Sequence, residues 1–464
     1  MSAKIGTSQI NMKNLIKWAI IFIAPLLILL LPVTEAFTMQ QKLFLSITVW
    51  TILMFAFELV DNYIPCIIMP FLFIITGVAD WSLAFAGWYK SIPWQVLGMF
   101  FFVNALLRNG LLKRLAYVCL LATNCTYRGV LWGMYLFGLV FNLVLPGGSC
   151  VAMATFAFGI CSALELKKSN LAAGITLAGA MGYLMPGFFI YVPSNFGLLV
   201  SVASSVDPTI TMNFLQYLTH NAVYIIFGFI MVVVVEKMFP PEHELNSKEY
   251  FRAERKAMGK MDREQIISTI GLLIIFVCVI TSGFIGFDST YAFVLVPAVL
   301  SFPIFGAVKT EDINAINFKF VFFIVSCMSI GFVAANTGIT KTLVGFILPM
   351  MQGMGTYGVI AMTWVMAVVA NFFLTPLAAM ASFGGPLTEI ALSLDINPYP
   401  LIYTFNNGLD QVLFPYEYAI YLVYFSFGMI RMDQFIKFFG VKMVLNFAFV
   451  MIAAVPYWKL IGLL

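Results

Sequence analysis

Apolar runs follow one another along the whole chain, separated by short polar punctuation. Sixteen can be marked: 17–33, 43–60, 62–79, 92–108, 129–145, 150–164, 170–192, 214–235, 265–284, 289–307, 318–336, 356–373, 376–394, 397–414, 416–430 and 439–457. A helix crossing the hydrocarbon layer needs about 20 largely apolar residues, because that layer is about 30 Å thick. The first run reads as such a helix behind Lys4, Lys13 and Lys17. A secretory signal, with Thr34-Glu35-Ala36 as a loose cleavage site, is the alternative. Not every later run suits a simple crossing. Several are short, or are interrupted by Pro and Gly, which inside a membrane marks half-helices and re-entrant hairpins.

Composition agrees with the pattern. Of 464 residues, 62% are hydrophobic and 10% charged, whereas a water-exposed domain carries about a quarter charged residues. The expected class is therefore an all-α polytopic membrane protein. A net charge of +4 is too small to imply a nucleic-acid partner, and two histidines cannot build a metal centre. The seven cysteines form no C-x-x-C pair and read as small hydrophobes. An enzyme is disfavoured, since no His, Cys and carboxylate cluster with a catalytic spacing is present. No cofactor is expected beyond a coupling ion, Na+ or H+.

The basic residues propose an orientation. Let the amino terminus be cytoplasmic and let 129–164 and 354–394 be hairpins that enter and leave on one side. Then 21 of the 25 Lys and Arg fall on the cytoplasmic side, Lys442 among them, leaving Lys42, Lys90, Lys341 and Lys459 outside. This gives about eleven crossings, two re-entrant hairpins and an external carboxyl terminus. Short connectors point to a bacterial inner membrane. The one strongly polar stretch, Glu236–Glu264, holds seven basic and seven acidic residues and reads as a solvated cytoplasmic connector.

That connector separates two halves that repeat. Asn109-Gly-Leu-Leu-Lys-Arg-Leu115 pairs with Thr337-Gly-Ile-Thr-Lys-Thr-Leu343, Asn142-Leu-Val-Leu145 with Asn371-Phe-Phe-Leu374, and Met212-Asn-Phe-Leu-Gln-Tyr217 with Met432-Asp-Gln-Phe-Ile-Lys437. The matches are collinear. The expected organisation is an amino-terminal segment (1–40), a first repeat (41–236), the linker (237–264) and a second repeat (265–464). An odd number of crossings in the first repeat inverts the second, as in secondary transporters that hold substrate near the midplane. Four interruptions lie at matching places: Leu145-Pro-Gly-Gly-Ser-Cys150, Leu374-Thr-Pro376, Tyr191-Val-Pro-Ser-Asn-Phe196 and Phe414-Pro-Tyr-Glu-Tyr418. Broken helices offer amides at their amino ends to an anion. Their carbonyl ends, with nearby Ser, Thr and Asn oxygens, suit a small cation.

At these residues the chain resembles the divalent anion:sodium symporters, which carry dicarboxylates, citrate or sulfate. Residues 109–115 resemble that family's Thr-Gly-Leu-x-x-Arg connector, Pro193-Ser194-Asn195 its Thr-Pro-Pro-Asn break, and Gly428–Lys437 the end of its tenth span. The likeness covers roughly 41–464. In the family each hairpin tip carries Ser-Asn-Thr, which binds sodium and touches the substrate carboxylate. This chain departs from the pattern with Gly147-Gly-Ser-Cys150 and Leu374-Thr-Pro-Leu377 at the tips, and with Tyr416-Glu417 at the second break.

The resemblance implies an elevator: the hairpins and broken helices (about 129–205 and 354–430) slide against a scaffold that forms a homodimer. Arms at 109–125 and 337–352 join the two parts. It places substrate and ion contacts at Gly148, Ser149, Cys150, Ser194, Asn195, Thr375 and Pro376, with sodium at Ser149, Asn195 and Thr375. Asn142, Asn371, Asn407 and Pro415 lie at the same level. Glu417 is a carboxylate inside the membrane, costly and therefore a functional candidate, as a cation ligand or proton carrier. Asp410, seven residues earlier, is expected on the same helix face, and no Lys or Arg near the breaks stands out as a partner for either. The expected function is secondary active transport of a small anion, coupled to sodium or to a proton. The competing reading is a cation/proton antiporter on a related inverted-repeat scaffold, with Asp410 and Glu417 as the ion site.

Overall fold

In a computed structural model the described residues are 12–464, apart from 35, 36, 58, 62, 148, 149, 246, 286, 287 and 289. They form helices and connecting turns, with no strand. The same succession of elements occurs twice. Met39–Phe57, Tyr63–Ile75, the one-turn Trp81–Ala84 and Ser91–Arg108 lead into the first arm, Leu111–Ala122. Arg263–Ile285, Thr290–Leu300, the short Thr310–Asn314 and Phe318–Thr337 lead into the second, Ile339–Met351. Each arm starts at a glycine in the left-handed region, Gly110 at φ 75° and Gly338 at φ 72°. Only glycine takes that conformation without Cβ strain, so the Asn-Gly and Thr-Gly of the sequence match are turn chemistry. At Gly110 the chain bends by 73°.

Beyond each arm comes a helical hairpin, Tyr127–Val144 with Cys150–Ala163 and Thr356–Phe373 with Pro376–Ser393. A broken helix follows each hairpin. The first comprises Asn170–Leu184, a tight turn at Met185–Phe188, and Phe196–Ala203. The second comprises Pro398–Leu409, a tight turn at Pro415–Glu417, and Ala419–Ser426. The first repeat closes on a bent helix pair, Phe214–Asn221 with Tyr224–Met238, and the second on one long helix, Met432–Leu460, with a π turn at Val450–Ala454. Among the described residues four helices are long and apolar enough to cross a membrane unaided, at 170–188, 263–281, 318–337 and 432–460. Other apolar helices are shorter, and Pro70 and Pro297 lie inside two of them.

The repeats are stitched together crosswise. Each hairpin's first helix packs on the broken helix of its own repeat, whereas Phe196–Ala203 packs against Pro376–Ser393 and Ala419–Ser426 against Cys150–Ala163. Near the start of the second half an ionic cluster joins three helix ends. Arg108 Nη1 donates to Glu264 at 2.8 Å and Nε to the buried Asp312 at 3.0 Å, while Lys309 reaches Glu264 at 2.7 Å. The helix 12–30 packs along Met39–Phe57.

The polar connector is more than a solvated link. Its helix Lys248–Ala257 is amphipathic and buries Phe251 completely against the first arm. Tyr117 donates its hydroxyl to Glu254 at 3.1 Å, and Arg114 donates to the carbonyls of Met258 and Gly259. Charge balance at the sequence level hid one apolar face.

Candidate functional site

Both hairpin tips abut helix breaks. In the first, Gly147 has φ 76°, and a Cβ there would stand 2.6 Å from Ser194 Oγ and from Val192 Cγ1. The tip therefore presses directly on the break. In the second, the Thr375 hydroxyl caps Pro376–Ser393 by accepting from Ala378 N–H at 3.4 Å, and Pro376 is the first helical residue. Pro there fits, because its missing N–H would have had no helical partner.

The first break and the second hairpin meet the second break around a small cavity. Asn195, Pro376, Asn406, Asp410 and Tyr418 line it, and its volume is about 30 Å³, room for about one water. Asn195 Nδ2 donates to the Tyr418 hydroxyl at 3.5 Å, tying the breaks together. Its Oδ1 is buried with no donor. A buried acceptor left so costs about 1–3 kcal/mol, and Asn371 Oδ1 in the second repeat is left the same way.

The second break carries charge. Asp410 caps the carboxyl end of Pro398–Leu409, and Lys442 reaches it from Met432–Phe449 with no exposure to solvent. Lys442 Nζ donates to Asp410 Oδ2 at 2.6 Å, to the Asp410 carbonyl at 2.7 Å and to Gln411 Oε1 at 3.1 Å. Tyr421 donates its hydroxyl to Asp410 Oδ1 at 2.9 Å. The rings of Tyr421 and Phe439 flank the ammonium at 5.6 and 5.8 Å. Glu417 turns back on its own loop instead. Its carboxylate accepts from Leu413 N–H at 3.2 Å and from Phe414 N–H at 2.9 Å.

Residues 12–464 match the family described as the sodium:sulfate symporter transmembrane region. The chain belongs to the sodium:sulfate symporter family. It is an integral membrane transporter of anions on that ground, and the family's function is transport rather than catalysis. The YdaH transporter of Alcanivorax borkumensis has a similar fold, at a TM-score of 0.54 and 12% identity, over 82% of this chain and 88% of that one. No curated protein matches the sequence.

Within this symporter-family chain the residues singled out from sequence fall into four groups. Asn195, Pro376 and Asp410 line the cavity, and Ser194 lies against the first tip. Asn142, Asn371 and Asn407 hold helices instead. Asn142 Nδ2 donates to the Gly138 and Tyr183 carbonyls, and Asn371 Nδ2 to that of Gln411. Asn407 bonds Tyr403 and Asn446, so its neighbour Asn406 is the one that reaches the cavity. Cys150 begins the second helix of the first hairpin, half-buried, and Pro415 opens the tight turn before Glu417. Gly148 and Ser149 lie outside the described residues. Of the three sodium positions, Ser149 is thus not described, Asn195 has a free acceptor, and the Thr375 oxygen is engaged in its cap.

Two expectations are overturned. Asp410 and Glu417 do not share a helix face: the helix ends at Leu409 and the chain turns before Glu417. Nor does a basic partner fail to appear: Lys442, expected in a loop, is buried in an ion pair with Asp410. Sequence reasoning placed it by loop counting. The signal it overlooked was helical spacing: Lys442 and Asn446 stand four residues apart in an otherwise apolar run, so they share a face.

Proposed function

We propose that this transporter carries a small anion of the dicarboxylate, citrate or sulfate class, bound where the first break, the second hairpin tip and the second break converge. What supports this most is the cavity at Asn195, Pro376, Asp410 and Tyr418, polar at depth in a family of anion transporters. Helix amino ends and amide side chains are suited to an anion. Lys442 neutralises Asp410, so an incoming anion does not meet a bare carboxylate.

A water-sized cavity is too small for sulfate or a dicarboxylate. Loading therefore requires the hairpin tips to part from the breaks, and release is an elevator movement of 129–205 and 354–430 against the scaffold. The arms, each beginning at a left-handed glycine, are the hinges of that movement. Sodium is the coupling ion of this reading, bound beside the unpaired Asn195 oxygen. The scaffold pairs two copies in a homodimer, in a bacterial inner membrane with a cytoplasmic amino terminus and an external carboxyl terminus.

Purified protein should show a raised unfolding temperature with one of succinate, citrate, sulfate or aspartate, larger when sodium is present. Asn195→Ala should abolish that shift. Failure of every anion to stabilise the protein, with and without sodium, would refute the reading.

A further inference from the structure

The carboxyl end of Pro398–Leu409 presents a cradle of oxygens: the Asp410 carbonyl, a carboxylate oxygen of Asp410 and the amide oxygen of Gln411. Carbonyl ends of broken helices with side-chain oxygens are where a transporter of this architecture holds a small cation. Here all three oxygens lie between 2.6 and 3.1 Å from one atom, Lys442 Nζ. An ammonium has three donors, and this one uses all of them on that cradle. We propose that Lys442 is a tethered cation occupying the second repeat's ion position, so that no metal ion binds there and any exchangeable sodium belongs to the first repeat alone.

The two repeats support this independently. The sequence match that aligns Met212 with Met432 sets Ala222 opposite Lys442. Ala222 lies where Phe214–Asn221 gives way to Tyr224–Met238, and it can supply no charge. In the first repeat the cavity-facing residue Asn195 keeps an acceptor without a donor. Asn371 Oδ1 and Thr404 Oγ1 of the second repeat are also without a donor, but neither lines the cavity with Asn195. The contrast is therefore between the cradle that Lys442 fills and the cavity wall at Asn195. The aromatic rings of Tyr421 and Phe439 beside Lys442 also favour an ammonium, since a ring face attracts an organic cation.

This inference rests on the transport reading for its meaning, but its test uses cations and not anions. Direct measurement of radioactive sodium on purified wild-type protein should give no more than one ion per chain, with binding lost in Asn195→Ala. Lys442→Ala should acquire an additional site, seen as a saturable rise in unfolding temperature with sodium or methylammonium. That gain should be absent from the Asp410→Asn/Lys442→Ala double variant. Two sodium ions per wild-type chain would overturn the proposal, as would a folded Lys442→Ala protein that gains no cation response. Should Lys442→Ala fail to fold, the wild-type stoichiometry still decides. Loss of anion stabilisation with these cation results intact would refute the transport reading only.

Discussion

The two helix breaks share a backbone plan and differ in what fills them. The first, Val192–Asn195, has no charged side chain of its own, and the turn glycine Gly147 presses on it. The second, Asp410–Tyr418, is crowded with charge, and its own side chains answer nearly every demand. Lys442 serves the carbonyl end, Glu417 serves the amides of Leu413 and Phe414, and Tyr421 completes Asp410. The matching breaks stop helices at corresponding places in the two halves, because Pro and Gly set them and their geometry is strict. It leaves the groups exposed at each stop to be satisfied in different ways, by an exchangeable guest or by a residue from elsewhere in the chain. A break satisfied internally needs no guest, whereas a buried acceptor left open gains from one.

The largest test of this contrast is to break the buried pair. Removing one partner of such a pair leaves an uncompensated charge and costs about 3–5 kcal/mol. Lys442→Met and Asp410→Asn should each lower stability in detergent by that order, read from denaturant or thermal unfolding. The double variant should recover most of the loss, because its cradle no longer holds an unpaired charge. Equal additive losses in the double variant would show that the pair does not work as a unit.

Next in size is the first tip. Gly147→Ala introduces strain at φ 76° together with the close contacts to Ser194 and Val192. A cost of about 1–3 kcal/mol is expected, and transport should fall further than folded yield does. Combining it with Ser194→Gly should relieve part of the contact while leaving the backbone strain. Full recovery would place the whole cost in the side-chain contact.

Glu417 tests the other side. As a carboxylate that caps two amides, it resembles a helix cap, whose loss costs about 0.5–2 kcal/mol. Glu417→Gln keeps one acceptor and should cost the lower part of that range. On the sodium-coupled reading the pH profile of anion uptake should be unchanged in this variant. A displaced profile would make Glu417 the proton carrier and put the second break, rather than the first, in charge of coupling.

How far these features were legible in the sequence follows from the range of the forces involved. The hairpins, the breaks and the arms are local: Pro, Gly and the end of an apolar run announce them within a few residues. Asn109-Gly110 and Thr337-Gly338 even reveal the left-handed turn. The wiring across the breaks is not local. Asp410 finds Lys442 32 residues on, and Asn195 meets Tyr418 223 residues away. No period encodes such meetings. A lysine in an apolar run looks like a displaced loop residue until its neighbours are in place. The connector helix misled for a related reason, because its charge count concealed that Phe251 and Tyr250 face the arm.

The least effect is expected at a short turn that the two repeats use differently. Before each long helix that leads into an arm stands a short helical turn with an aspartate, Asp80 in the first repeat and Asp312 in the second. Asp312 is buried and holds Arg108. Asp80 is exposed and caps only its own turn, accepting from Leu83 N–H and from the Ser82 hydroxyl, each at 2.8 Å. The Leu83 amide, with Ser82 second, holds the Asp80 carboxyl below its ordinary range. A depressed folded value means that the charge stabilises the fold above the unfolded value, about 3.9, and ceases to do so as the pH falls through the folded one. Asn caps a helix about as well as Asp, so Asp80→Asn isolates the charge. Its unfolding temperature should lie slightly below wild type at neutral pH, and the gap should close on acidification below about pH 4. Asp312→Asn should cost more at neutral pH, because it strips a partner from the half-buried Arg108. If the Asp80 gap widens in acid, or matches that of Asp312, then burial is not what separates the charges of the two repeats.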